Sequence, residues 1–551
     1  MRPPSPCGME SRHSELWRPA PDAPETGRPV NGADDAATED QVRRSSISLP
    51  VIVGIAIFVL VQQAILIRSW FSRYVSDDYA LLWAAARSWG QLEPHQPNFW
   101  GQSYGTTLES IPTEVLHWIG VGYPTGLPIV LSLMHLGSWW IPAAAAWHRG
   151  HRLLAAVAVA APALFTTEYV VAASVYCTAT GRFVGGIVVA LIIVGAERPR
   201  WVAVSCGLAA CAFLADSSSA LLTAPACAYG VVACLPAVRE SGRWRQNALI
   251  FIAAMTPAAV WVLFTERWYQ AHPGDALHPA TAFDPQIQVL LDNLRNPTRM
   301  LGPYAPELLR APYLVLAVVL ALGIAVAVQR RAAIAVAYGV FVLVLAMILS
   351  LSKTYGDLGV VYFQAARLIL PMPVGIWFIA YGLSWRTLSP RWDRLLAYGL
   401  VVIVAATGCF RIVTWSDRGG VLEQDAVSRS SRYPEMPAAE LTNLCDRVAQ
   451  AAAKSNADVA IFESRIAAYG CAALIGPDLT TAFPEYERRR WVLEALDRPA
   501  DRSTILFVGP PAACTGIVVC EQLDVDIVAV ELGGRSLLQL AHDMGITVRS
   551  F

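Results

Sequence analysis

Residues that could do chemistry are unevenly spread along this chain. Away from the two ends, its charges gather at the borders of apolar runs: Asp77, Asp78, Glu109, Glu114, Glu168, Arg182, Asp216, Glu266, Arg267, Lys353, Asp357 and Arg367. Asp77 and Asp78 follow Ser76, a good helix cap, so both belong to the first turn of a helix. There they can simply complement a helix dipole. At the mouth of an apolar cavity they would instead perturb each other, and desolvation would add to the effect, as suits a general base. Asp77 is the preferred base, although either side chain could face such a cavity. Glu109 can be a second acid, a metal ligand or a plain helix-start carboxylate. Asp78 and Glu109 together could hold Mg²⁺ or Mn²⁺, with no clear third ligand. Between them runs Phe99-Trp100-Gly101-Gln102-Ser103-Tyr104-Gly105, where the two glycines let the backbone approach something closely.

The elements that must position these groups are membrane spans. Of 551 residues, 55% are hydrophobic and only 15% are charged, and mean hydropathy is +0.43. Soluble chains carry about 25% charge. This composition excludes a disordered protein, a nucleic-acid binder and an ordinary cytosolic enzyme. About eleven apolar runs lie at 49–69, 125–147, 152–170, 183–196, 201–215, 218–237, 247–265, 312–328, 332–351, 367–385 and 395–414. Several are shorter than the roughly 20 residues a helix needs to cross a bilayer. The two around Asp216-Ser217-Ser218-Ser219 are a tight hairpin or one broken helix. Twelve Arg sit in the short stretches 148–152, 197–200, 238–246, 329–331 and 386–394. The positive-inside rule then puts the N-terminus in the cytoplasm and, with an odd number of spans, the C-terminal domain outside. Span centres hold few ionisable groups. His135 is the main exception, and a helix-packing hydrogen bond is its simplest role. Chemistry therefore belongs at the outer face.

Net charge divides the chain into regions of −2 (1–46), +7 (47–415) and −6 (416–551). The first is Pro-rich and polar and reads as a disordered cytoplasmic tail ahead of an uncleaved signal anchor. The second is the membrane domain, with a structured first outer loop at 70–122. The helix opened by Asp77 shows an apolar face through Leu81, Leu82, Ala85 and Trp89 and is expected to lie flat on the membrane. The third alternates a helix (Leu441, Leu444, Val448, Ala452) with short strands at 459–462, 504–508, 517–519 and 527–530, as in a small α/β sandwich. No glycine-rich nucleotide motif follows any of these strands. Cys445, Cys471, Cys514 and Cys520 allow three disulfide pairings. Arg488-Arg489-Arg490 reads as a surface patch facing lipid or protein. The fold class is thus an all-α polytopic membrane domain with a C-terminal soluble α/β domain.

A first span, an Asp-Asp pair opening a flat helix, and Gly101-Gln102-Ser103-Tyr104-Gly105 leading to Glu109 before a second helix together resemble GT-C glycosyltransferases. The likeness is to the bacterial branch that includes protein O-mannosyltransferases and the aminoarabinose transferase of lipid A. It covers 49–415 in topology and is specific over 76–120. It implies a sugar carried on a polyprenyl phosphate and moved to a cell-envelope glycan, lipid or protein acceptor at the outer face of a bacterial plasma membrane, commonly with inversion. Gln102 and Tyr104 would then bind sugar hydroxyls or order the loop. The lipid phosphate would need a cation, since its charge develops as it leaves. Arg367 is the first choice, because a guanidinium grips phosphate in bidentate fashion; Lys353 and Arg182 come next. Arg367 can equally snorkel to headgroups, and Lys353, Arg182 and Glu168 read more simply as solvated loop ends. The branch often has Asp-Glu where this chain has Asp-Asp, and no Lys-Pro-Pro follows Glu109, so that branch's sugar and metal are not carried over. Two other functions compete. A lipid-linked-sugar flippase would need a polar path through the spans. A non-catalytic assembly protein would leave Asp77 and Asp78 facing water.

Overall fold

The computed structural model describes residues 47–167, 169–170, 173, 179–276, 284–306, 308–309, 311–352, 367–383, 390–417, 435–483, 485, 487–496, 504–509, 520–534, 536 and 539–540. The tail expected at 1–46 lies outside the described residues. The apolar runs form helices: α1 (Leu49–Leu66), α4 (Tyr123–His148), α5 (Arg152–Leu164), α6 (Ala179–Gly195), α7 (Pro199–Ala215), α8 (Ala220–Ser241), α9 (Trp244–Ala271), α12 (Pro312–Gln329), α13 (Ala332–Leu349), α14 (Met372–Gly382) and α15 (Pro390–Asp417). Among the described residues, seven helical stretches are long and apolar enough to cross a membrane; α5, α6, α7 and α14 are shorter. The break at Asp216 is a hairpin. Asp216 Oδ1 accepts from the Ser218 amide (3.0 Å), and a side chain at Gly230 on α8 would meet Val202 on α7.

Between α1 and α4 lies the segment expected to be the first outer loop. It holds β1 (Tyr74–Ser76), α2 (Asp77–Gly90) and α3 (Ser110–Trp118). The remaining short helices, α10 (Ile287–Arg295) and α11 (Pro297–Leu301), precede α12.

The C-terminal module contains β2 (Glu435–Pro437), α16 (Ala438–Ser455), β3 (Val459–Phe462), α17 (Arg465–Ile475), β4 (Thr480–Ala482), α18 (Arg490–Leu496), β5 (Thr504–Val508), β6 (Cys520–Asp524) and β7 (Ile527–Glu531). Five strands form one mixed sheet in the order β4-β3-β5-β7-β6. The strands β3, β5 and β7 follow the sequence reading. Strand β4 was missed because it is three residues long. The strand expected at 517–519 lies outside the described residues, and β6 begins just after it at Cys520. A disulfide joins Cys445 on α16 to Cys471 on α17, and Cys520 is also disulfide-bonded.

The module is stitched to the first outer loop. β1 pairs antiparallel with β2, Val75 opposite Met436, and the Ala438 amide donates to the Arg73 carbonyl (2.7 Å). One apolar core contains Leu81, Leu82, Trp83 and Ala85 of α2 together with Leu441, Val448, Ala468 and Tyr469 of the module. Helix α2 therefore does not rest flat on lipid with one face open. Residues Tyr79–Ala86 are all buried, because α17 covers the side that an amphipathic surface helix would expose.

Candidate active site

Two helix N-termini meet at the site. On α2, the Ser76 hydroxyl accepts from the Tyr79 amide (3.4 Å) and caps the first turn, which carries Asp77 and Asp78. On α17, the Ser464 hydroxyl accepts from the Ala467 amide (3.3 Å), and Arg465 follows it. An acid suits a helix start and a base does not, so Arg465 is held there by its partner. Its Nη2 lies 2.6 Å from Asp77 Oδ2. A second guanidinium reaches the pair from the segment preceding α18. Arg488 Nη1 donates to Asp78 Oδ1 (2.9 Å), and Nη2 lies 3.6 Å from Asp77 Oδ2.

The two acids differ in surroundings. The Asp77 side chain is 1% exposed and that of Asp78 is 23% exposed. Asp77 Oδ1 makes no hydrogen bond among the described residues. Burial, then the neighbouring Asp78 charge, push the Asp77 carboxyl above the ordinary aspartate range, and Arg465 and Arg488 pull it part of the way back.

The arginine triplet is not a surface patch. Arg488 and Arg489 are buried. The Arg488 amide donates to the Tyr469 hydroxyl (3.1 Å). Arg489 grips Glu487 through Nε (2.8 Å) and Nη2 (2.9 Å) and lies over the Tyr469 ring. Of the three, Arg490 is the most exposed and pairs with Glu494. The two buried cations survive burial because each has an acid, Asp78 for Arg488 and Glu487 for Arg489.

The glycine loop packs on this arrangement. Gly101 has φ +77°, and a Cβ there would lie 2.8 Å from Arg488 Cβ. Gln102 is tied through its carbonyl, which accepts from the Tyr269 hydroxyl (2.7 Å). Gln102 and Tyr104 are both half-buried. The Gln96 amide, assigned from its neighbours, accepts from the Gly101 amide (2.8 Å) and donates to the Asp275 carbonyl (3.3 Å). Gln96 also lines a cleft of about 590 Å³ with Trp89, Glu93, His95, Trp261, Phe264 and Trp268. Two of its indoles are pinned: Trp89 donates to Thr107 (3.2 Å) and Trp268 to Asp275 (2.9 Å).

Glu109 and Arg182 form a second cluster. Glu109 is fully buried, and its Oε1 accepts from the Thr180 amide (3.0 Å) near the start of α6. Its Oε2 has no hydrogen-bond partner among the described residues. Burial raises its carboxyl above the usual range, the Thr180 amide and Arg182 opposing. Arg182 is 2% exposed rather than a solvated loop end. Its Nη2 donates to the Ala173 carbonyl (2.9 Å), while Nε and Nη1 have no hydrogen-bond partner among the described residues. The His135 ring is buried with neither nitrogen hydrogen-bonded among the described residues, edge-on to Tyr169 at 5.6 Å, so the expected helix-packing bond is not what holds it.

The partners of Asp77 and Asp78 come from the module, and those of Glu109 and Arg182 from the membrane body. The turn Arg367–Ile369 packs beside Ser217–Ser219, and the adjoining Asp216 abuts Gly181. The Arg367 backbone thus lies on the side of Arg182. Its side chain, and all of Lys353, Glu168 and Asp357, lie outside the described residues. Asp78 is engaged by Arg488 and Glu109 by Thr180, and no group of three His, Cys, Asp or Glu gathers among the described residues.

Sequence reasoning missed Arg465 and the partnership of Arg488 with the aspartates. The available signals were the Arg triplet itself, unusual beside Glu487 in an acidic module, and a glycine loop that required something large to approach it.

No family model matches the chain, and no curated protein sequence matches it. Among solved structures, ArnT from Cupriavidus metallidurans in the apo state has a TM-score of 0.51 at 14% identity, covering 86% of this chain and 97% of that one. The structure of ArnT bound to undecaprenyl phosphate has a TM-score of 0.48 at 14% identity, with the same coverage. The chain therefore shares the fold of the solved ArnT structure.

Proposed function

We propose that this protein is a membrane glycosyltransferase that moves a sugar from a polyprenyl-phosphate donor to a cell-envelope acceptor at the outer membrane face, with inversion. The observation that carries this reading is Asp77: a buried carboxylate with Oδ2 clamped by Arg465 and Oδ1 left without a hydrogen bond among the described residues. Such an oxygen can take the proton of an acceptor hydroxyl as that hydroxyl attacks the anomeric carbon. The new bond joins acceptor oxygen to the anomeric carbon, the bond from that carbon to the phosphate oxygen breaks, and the polyprenyl phosphate leaves with the electron pair. Asp78, already bonded to Arg488, is the supporting acid. Arg182 supports the lipid phosphate from the membrane body, because two of its guanidinium nitrogens have no hydrogen-bond partner among the described residues in a buried site. Arg367 and Lys353 remain further cations for that charge.

The disulfide between Cys445 and Cys471 suits an oxidising compartment. Together with the loop arginines it supports a module outside and an N-terminus inside, and we infer that about eleven apolar segments cross the bacterial plasma membrane. The burial of Asp77 weighs against the assembly reading, which needs both acids in water. ArnT, whose fold this chain shares, is described in complex with undecaprenyl phosphate.

The test is transfer from a panel of radiolabelled polyprenyl-phosphate sugars in membranes. Asp77→Asn should lower the rate by about 10²–10⁴-fold, the usual worth of a general base, at unchanged protein level. Asp78→Asn should retain part of the activity. Normal envelope glycans in both variants would overturn the reading.

A further inference from the structure

We infer that the C-terminal module is part of the reaction centre, with Arg465 and Arg488 as positioning residues that fix Asp77 Oδ2 and thereby present Oδ1 to the acceptor. This rests on the glycosyltransferase reading and deepens it.

The geometry is over-determined in the way a positioning device requires. The two guanidinia come from different elements, the first turn of α17 and the segment leading into α18. Both meet the same oxygen, at 2.6 and 3.6 Å, so the carboxylate cannot rotate without losing both. Arg488 is itself held on three sides. Its amide is bonded to Tyr469, its Nη1 to Asp78, and its stem lies against Gly101. The apolar core shared by α2, α16 and α17, together with the β1–β2 pairing, already docks the module without any charge. A buried ion pair adds little to stability over an apolar contact. Two of them aimed at one carboxylate therefore point to orientation rather than adhesion.

The experiment uses the full chain in membranes or detergent with four variants: Arg465→Ala, Arg488→Ala and the two Lys replacements. Each is assayed for kcat and donor KM, with and without added guanidinium ion. In parallel, labelling by a water-soluble carbodiimide reports whether Asp77 is shielded, and the Cys445–Cys471 disulfide reports an intact module. In the wild type Asp77 should resist labelling. In both Ala variants it should label, with the disulfide retained. Transfer should fall at least tenfold in kcat with donor KM within about threefold, and guanidinium should restore at least part of it. The Lys variants should recover less, Arg488→Lys above all, because an ammonium lacks the fork by which Arg488 meets Asp77 and Asp78 together. Equal labelling of Asp77 in wild type and Ala variants overturns the clamp, as does unchanged kcat or a fall in kcat that guanidinium does not reverse. If the wild type transfers no sugar from any donor, the glycosyltransferase reading fails, and the labelling result still decides the clamp.

Discussion

At the scale of single residues, the proposed role of Asp77 as base makes a pH prediction through its environment. Burial and the Asp78 charge raise its carboxyl above the ordinary range. A base works only when deprotonated, so activity should be full above that raised value and fall about tenfold per pH unit below it. The acid limb of kcat/KM should accordingly lie above the usual carboxylate range. Asp78→Asn removes a raising influence, so the limb of the residual activity should move to lower pH. A limb that stays fixed in that variant would speak against Asp77 as the base. Gly101 and Gly105 give a second contrast. Both have positive φ, 77° and 73°, which costs an alanine about 1–2 kcal/mol. Only at Gly101 would a Cβ also strike Arg488, adding an overpacking cost of about 1–3 kcal/mol. Gly101→Ala should therefore lower the melting temperature more than Gly105→Ala.

At the scale of elements, the aromatic cleft lies between the first outer loop and α9, the most exposed of the long spans. On the proposed reading, its position beside Gln96 and the Gly101 turn, which itself touches Arg488, makes it our candidate for the acceptor. Trp268→Ala should raise acceptor KM by about three- to tenfold, the scale of one aromatic contact, and leave donor KM unchanged. The disulfide belongs to this scale too. It bridges α16 and α17 across 26 residues, a loop whose closure is worth about 3–4 kcal/mol in the chain-entropy estimate. Cys445→Ser should destabilise the module by that amount, read as a lower melting temperature and loss of the shift caused by reductant in the wild type.

For the whole molecule, much of the fold was legible in the sequence. The apolar runs became helices close to their expected bounds, because lipid demands long apolar segments and punishes their interruption. The Asp77-Asp78 pair opens a capped helix, as Ser76 implied. The module's α/β character followed from its β-branched runs. The Asp216 turn became a hairpin, one of two readings the polar triplet allowed. What stayed hidden is contact at a distance. Asp78 and Arg488 are 410 residues apart, and nothing in local periodicity selects one partner from the chain's 42 basic residues. The triplet reads as a surface patch facing lipid or protein because three adjacent arginines usually lie at a surface. Its burial depends on Glu487, Tyr469 and the aspartates being brought together by the β1–β2 pairing, a register no short-range pattern encodes. Helix α2 was misread for the same reason, since its polar-looking face is covered by an element found only in the fold.

That pairing of Val75 with Met436 also has a bearing on biogenesis. A ribosome feeding this polypeptide into the bilayer releases Asp77 hundreds of residues before its cationic partners emerge. Throughout that interval the acid lacks the two guanidinia that hold it in the folded protein. On the proposed reading, competence would be conferred only near the end of translation, when the last-made portion folds back upon the first, and a chain terminated early would be inert.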